Sequence, residues 1–195
     1  MESIYHRRSI RKYRAQPIPA EILKQILDAG RMAPSGKNRQ PWRFLVYEGD
    51  KKAELLCQMK AGLEREASDP ILPNSRYNLS DAWNTLHIMQ QAPVVVMVLS
   101  PYGMNPFDNI SSEKRITEIV DLLSIGAAVQ NMLLQAESLG IGTLWIGNTF
   151  FAYPELMEYM QAEGQLTGAV ALGYADESPP ARPRKTLDEI TEYYS

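Results

Sequence analysis

Six consecutive residues, Val94 to Leu99 (VVVMVL), carry no polar side chain, and four of them are β-branched. A strand with one wet face alternates apolar and polar residues, whereas a strand without alternation is covered on both faces. The run therefore predicts a central strand with a layer of structure on either side. Pro93, just before it, ends a helix expected over Ser80 to Gln91.

A second segment imposes a matching demand. Ser111 or Ser112 can cap a long helix running to about Leu139, and between Val120 and Leu134 its only charge is Asp121. Such a helix has no polar face and is expected to be covered nearly all round. Further helices are expected over Pro19 to Met32, with its Ile22, Leu23, Ile26 and Leu27 stripe, over Lys51 to Glu66, and near Pro154 to Gln161. Arg43 to Tyr47, Thr143 to Ile146 and Ala169 to Tyr174 supply the other strands, while 69–79 and 102–110 are loops. The resulting class is α+β, a mixed sheet covered by helices.

At 195 residues with 45% hydrophobic composition, the chain can bury one core, so a single domain over 1–195 is expected. Its uninterrupted apolar runs fall far short of the roughly 20 residues that span a bilayer, and no signal-like stretch opens it. No membrane association is expected, and the location is read as cytoplasmic. The single cysteine, Cys57, is expected to be a buried or half-buried thiol in a helix. With only His6 and His87 beside it, no metal site is expected.

Net charge is −3, but the cations are uneven. Arg7, Arg8, Arg11, Lys12 and Arg14 crowd one end, and Arg182, Arg184 and Lys185 the other. An acidic chain with two local basic clusters suggests one small anion rather than a polyanion. In an extended segment Arg7, Ser9 and Arg11 would share one side, presenting two guanidinium forks and a hydroxyl to a phosphate. A salt-dependent nucleic-acid arm is the rival reading, disfavoured by the overall charge and by the absence of aromatic residues among the arginines.

Two glycine-bearing stretches differ in value. GIGTLWIG (140–147) follows a helix and opens a strand, the reverse of the order a dinucleotide fingerprint needs. APSGKNRQPW (33–42) joins a helix to a strand and combines a glycine, amides, cations and a tryptophan. Trp42 is expected to plug the core; Ser35, Gly36, Asn38 and Gln40 need another explanation. Gln130 and Asn131, inside the long helix, read as amides bridging helices or subunits. No spacing suggests a Ser-His-Asp or Cys-His arrangement, so no side-chain catalyst is assigned.

Four segments, RRSIRKY, AGRMAPSGKNRQPWRFLVY, SIGAAVQNMLLQAESLGIGTLWIG and ARPRK, occur in an order that resembles the nitroreductase family of FMN-dependent oxidoreductases. The resemblance implies a nitroreductase-like fold and an intertwined homodimer with FMN at the interface. It implies that Arg7, Arg8 and Ser9 contact FMN, that Arg11 stands near the pyrimidine end of the flavin, and that Arg182 and Arg184 hold its phosphate. Pro34, Ser35, Gly36 and Asn38 would be laid on the flavin by the partner subunit. Leu144, Ile146 and Gly147 would line one flavin face, with the N–H groups of Ile146 and Gly147 toward N5 and O4. Many members carry an acidic residue where this chain has Ile146, so only backbone contacts transfer there. A second pyrimidine contact is expected within 74–87, with no residue assigned. The implied activity takes hydride from NADH or NADPH and passes electrons, by a ping-pong cycle, to a small-molecule acceptor such as a nitroaromatic or quinone. Same-fold dehalogenases, flavin-fragmenting enzymes and a non-catalytic flavin binder or basic-arm interaction protein are the alternatives.

Overall fold

The computed structural model of the chain describes residues 2–72, 74 and 77–194. Part of the loop expected over 69–79, namely Pro73, Ser75 and Arg76, lies outside them. The order is α1 (Glu2–His6), α2 (Ala20–Arg31), β1 (Arg43–Glu48), α3 (Gly49–Ser68), α4 (Leu79–Gln91), β2 (Val94–Ser100), α5 (Ser112–Ser138), β3 (Gly142–Ile146), α6 (Tyr153–Met160) and β4 (Gln165–Gly173).

β2 is buried at every position, as its composition demands, and its side chains sort by parity. Val94, Val96 and Val98 join Val170 and Leu172 under α2 and α5, packing on Leu23, Ile26, Val129 and Met132. Val95, Met97 and Leu99 join Ala169 and Ala171 on the other face, under α3, α4 and α6, with Leu55, Met59, Leu63, Met89 and Leu156. The sheet order is β1-β2-β4-β3, with all three ladders antiparallel. The sheet expected to be mixed is therefore antiparallel among the described residues, and the parallel pairing of Ser9 with Thr143 is an isolated bridge outside its strands, at the β3 edge.

Three expectations need correction. β4 begins at Gln165, four residues before the expected start, because cross-strand pairing with β2 carries it through Gln165 and the Gly168 break in the apolar pattern. Cys57 is exposed on α3, since Leu55, Leu56, Met59 and Leu63 take the inward face. The long helix is not covered all round. Its C-terminal half is buried through Ile125, Val129, Met132 and Ala136, but Ile116, Ile119, Val120 and Leu123 stand 64%, 50%, 41% and 71% exposed. By length and composition α5 could cross a membrane, yet that half is packed against α2 and the sheet, as in the core helix of a globular domain.

Helix α5 ends as its glycine requires. Gly140 adopts φ +72° and donates to Glu137 O, while Ile141 N–H reaches back to Ala136 O, turning the chain directly into β3. Asn131 Nδ2 donates to Ala29 O at 3.2 Å, bridging α5 to α2 as expected of an amide in this helix. Trp42 is half-buried against the cluster under α2 and α5.

Candidate functional site

The two basic ends meet because both are tied to the same edge of the sheet. After α1 the chain runs extended along β3, with Ile10 N–H donating to Thr143 O at 2.9 Å. The segment after β4 runs antiparallel to this arm: Tyr13 bridges Ala175, Arg14 N–H reaches Tyr174 O and Asp176 N–H reaches Lys12 O. Glu177 Oε1 accepts from the backbone N–H groups of Arg11 and Lys12. The glycines Gly142 and Gly173, partners in the ladder, leave room for this arm. A Cβ on the first would fall 2.8 Å from Ile10 and on the second 2.8 Å from Tyr13. Tyr13 OH donates to Ile10 O at 2.8 Å, and burial, aided by the Glu177 charge and opposed by Arg11, holds its pKa well above the ordinary tyrosine value.

The paired segments enclose a cavity of about 650 Å³ lined by Arg7, Arg8, Ser9 and Arg11 on one side and Arg182 and Arg184 on the other. Among the described residues no carboxylate pairs with any of these five guanidinium groups. Arg8 instead donates to the carbonyls of Tyr5 and Arg7, Arg11 to that of Ser9, and Arg184 to those of Arg182 and Pro183. Five unneutralised cations around one hollow make a site for a phosphate-like anion.

Arg11 also lines a second cavity, of about 310 Å³, with Leu144, Trp145, Ile146, Gly147 and Asn148 along one wall and Asp81, Asn84, Thr85 and Ile88 of α4 along the other. Asn148 Nδ2 donates to Thr85 Oγ1 at 3.0 Å, and Thr85 Oγ1 donates to Asp81 O at 2.9 Å, fixing that rim. A flat apolar strand end faced by amides, a hydroxyl and a carboxylate suits a planar ligand with hydrogen-bonding edges. Arg11 joins this hollow to the anion site.

Nine of the thirteen expected residues therefore gather: Arg7, Arg8, Ser9, Arg11, Arg182 and Arg184 at the first cavity, and Leu144, Ile146 and Gly147 with Arg11 at the second. Pro34, Ser35, Gly36 and Asn38 line neither. Their loop packs on the exposed half of α5: Gly36 N–H donates to Ser124 Oγ at 3.4 Å, and a Cβ at Gly36 would fall 2.6 Å from Val120. Arg39 anchors it with two bonds to Asp121, at 3.1 and 3.0 Å, and lies 5.0 Å from the Tyr102 ring centroid. The sequence reading missed Asp81, Asn84 and Thr85. Their signal was a stripe at i, i+3, i+4 and i+7 with Ile88, hidden because the preceding loop left the register of α4 open.

A hollow that pairs an unneutralised arginine cluster with the end of a strand marks a site for an anionic ligand, and comparison with known proteins gives its class. The model of the nitroreductase family matches residues 4–174, and the chain belongs to that family. A protein of Archaeoglobus fulgidus provisionally named NADH dehydrogenase/NAD(P)H nitroreductase is 31% identical over 183 residues, 89% of this chain and 84% of its own. An iodotyrosine deiodinase of Thermotoga neapolitana is 27% identical over 192 residues, covering 93% and 91% of the two chains. Among solved structures, a nitroreductase with bound FMN from Desulfitobacterium hafniense superposes with a TM-score of 0.74 at 25% identity, over 100% of this chain and 97% of that one.

Proposed function

We propose that the chain is a single FMN-binding domain that works as a cytoplasmic homodimer, taking hydride from NADH or NADPH and passing electrons to a small oxidant such as a nitroaromatic or quinone. The observation that carries this reading is the pair of cavities joined at Arg11, one lined by unpaired arginines and the other by a strand end and a polar rim. That donor set fits FMN. Arg7, Arg8, Arg182 and Arg184 would hold the phosphate, Ser9 would add a hydroxyl, and Leu144 to Gly147 would lie along the flavin ring. Asn84 and Asp81 offer the polar contacts for the pyrimidine edge, beside the cation of Arg11. Bound FMN supplies the redox chemistry; the protein holds, orients and electrostatically tunes it.

The dimer follows from two features. The loop bearing Pro34, Ser35, Gly36 and Asn38 lines no cavity of its own chain, and it rides on an apolar helix face that faces water in a single copy. Pairing two copies through α5 would cover that face and carry each loop toward the other copy's flavin. A lone exposed thiol, Cys57, suits a reducing compartment.

The purified protein should be yellow and bleach with NADH or NADPH under anaerobic conditions, and heat should release from it a chromophore that co-migrates with FMN. A colourless protein that fails to bind added FMN refutes the proposal. The 27% identity to an iodotyrosine deiodinase favours a second reading, reductive dehalogenation. Iodide release from iodotyrosine in excess of nitroaromatic turnover would select it.

A further inference from the structure

The loop that crosses to the partner is conformationally costly, and something must hold it. Lys37, Asn38 and Gln40 all have left-handed backbones, with φ of +53°, +55° and +48°, and none is glycine. Such clusters persist where the surroundings over-determine them, characteristically at ligand clamps. Within the loop, Ser35 Oγ accepts from Gln40 N–H at 2.9 Å, Asn38 N–H reaches Ser35 O at 3.0 Å and Arg39 N–H reaches Gly36 O at 3.1 Å. These bonds give the loop a shape without attaching it to the body of the protein.

The attachment is Arg39. Its guanidinium spans both oxygens of Asp121, whose side chain is only 4% exposed, and it lies against the ring of Tyr102, in the loop after β2. The loop's other polar link, among the described residues, is the long Gly36 N–H to Ser124 Oγ contact, also to α5. Asp121 is the only charge in the apolar stretch of α5, and Arg39 takes both of its oxygens. Of the two buried carboxylates of α5, Glu118 pairs within the helix with Arg115, whereas Asp121 takes its partner from the loop, and that use is to pin the loop.

We infer that Arg39 and Asp121 are positioning residues for cofactor binding in trans: the ion pair holds residues 34–38 of one copy in the shape that completes the FMN site of the other. The inference rests on the dimeric FMN reading above. Arg39 need not touch the flavin; it fixes the angle at which Ser35, Gly36 and Asn38 are presented. Lysine would keep the charge but lose the two-point grip and the flat contact with Tyr102.

FMN affinity, measured by fluorescence titration of apoprotein, should weaken ten-fold or more in Arg39→Gln and by a smaller factor in Arg39→Lys. Both should retain the far-UV circular dichroism of the parent. Arg39→Lys also serves as the folded probe if Arg39→Gln misfolds. The decisive measurement is complementation. A purified heterodimer of one Arg39→Gln copy and one Arg184→Ala copy has both lesions in one site and neither in the other, provided Arg39 acts across the interface. It should bind one FMN per dimer with parental affinity, although each parent homodimer binds weakly. A heterodimer with no tight site would show that Arg39 serves its own copy's site and would overturn the inference. So would parental FMN affinity in both Arg39 variants. If the unsubstituted protein binds no FMN, the functional reading falls first and takes this inference with it; a flavin-loaded dimer indifferent to Arg39 sinks the inference alone.

Discussion

Replacing Leu123 with aspartate should split the proposed dimer and, with it, the cofactor site. Leu123 lies on the stripe Ile116, Ile119, Val120, Leu123 at i, i+3, i+4 and i+7 of α5, and it is 71% exposed in the single chain. Burying a leucine side chain fully is worth about 1.5–3 kcal/mol, so roughly 1–2 kcal/mol remains to be gained per copy on association. A two-fold interface uses the same residue twice, which gives about 2–4 kcal/mol, before any cost of burying the new carboxylate. At 1.4 kcal/mol per decade, the dimer dissociation constant should rise by about 30-fold to several hundred-fold. Sedimentation velocity over a range of concentrations reads the shift, and retained flavin after gel filtration should fall in parallel, because the proposed site draws residues 34–38 from the second copy. Were the stripe truly solvent-facing, the substitution would change stability by no more than about 0.5 kcal/mol. A variant that sediments and retains flavin like its parent would refute the reasoning.

Arg11, common to both cavities, should stabilise the more negative reduced cofactor, so Arg11→Gln is expected to lower the bound flavin potential by about 30–60 mV, where 30 mV corresponds to about 1.4 kcal/mol for two electrons; spectroelectrochemical titration checks it, and an unchanged potential places the charge elsewhere. Tyr13 keeps its proton in the folded state beyond its ordinary pKa, chiefly through burial. That contribution is complete below about pH 10, where the unfolded chain's tyrosine is also neutral, and declines as pH rises above it. Urea unfolding at pH 8 and pH 10.8 should therefore show a smaller alkaline loss in Tyr13→Phe than in the parent. Gly62→Ala should cost about 1–3 kcal/mol by overpacking, because its Cβ would lie 2.3 Å from Ala152 Cβ and 2.5 Å from Ala152 Cα, which belongs to the backbone; an unshifted denaturation midpoint would count against it.

Legibility in the sequence followed the range of the forces involved. β2 announced itself because a strand buried on both faces leaves a local record, six apolar residues without alternation. The arginine clusters were legible as charge, and their meeting follows from antiparallel pairing of 12–14 with 174–176, which no local pattern encodes. The Arg39–Asp121 pair joins residues 82 positions apart and left only a cation in a loop and a carboxylate at the start of the apolar stretch of a helix. Asp81, Asn84 and Thr85 escaped because their stripe gains meaning only when the helix is set against β3. The apolar stripe of α5 was read as covered but stands open to water in the single chain, because apolar composition records that a face wants cover and not what supplies it.

The arm laid along β3 also fixes when the site can exist during synthesis. Arg7 and Arg8 are synthesised well before β3, which carries their arm, before the central strand β4, and before the opposing Arg182 and Arg184. Until then the arm has no sheet edge to lie on, and the long-range pairing of β2 with β4, which begins 65 residues after β2 ends (residue 165 against residue 100), has to wait as well. Capture of the proposed cofactor thus has to wait until the Arg182 to Arg184 segment is made, and a nascent chain stalled before residue 165 would present an arginine-rich arm and half a sheet with nothing to hold.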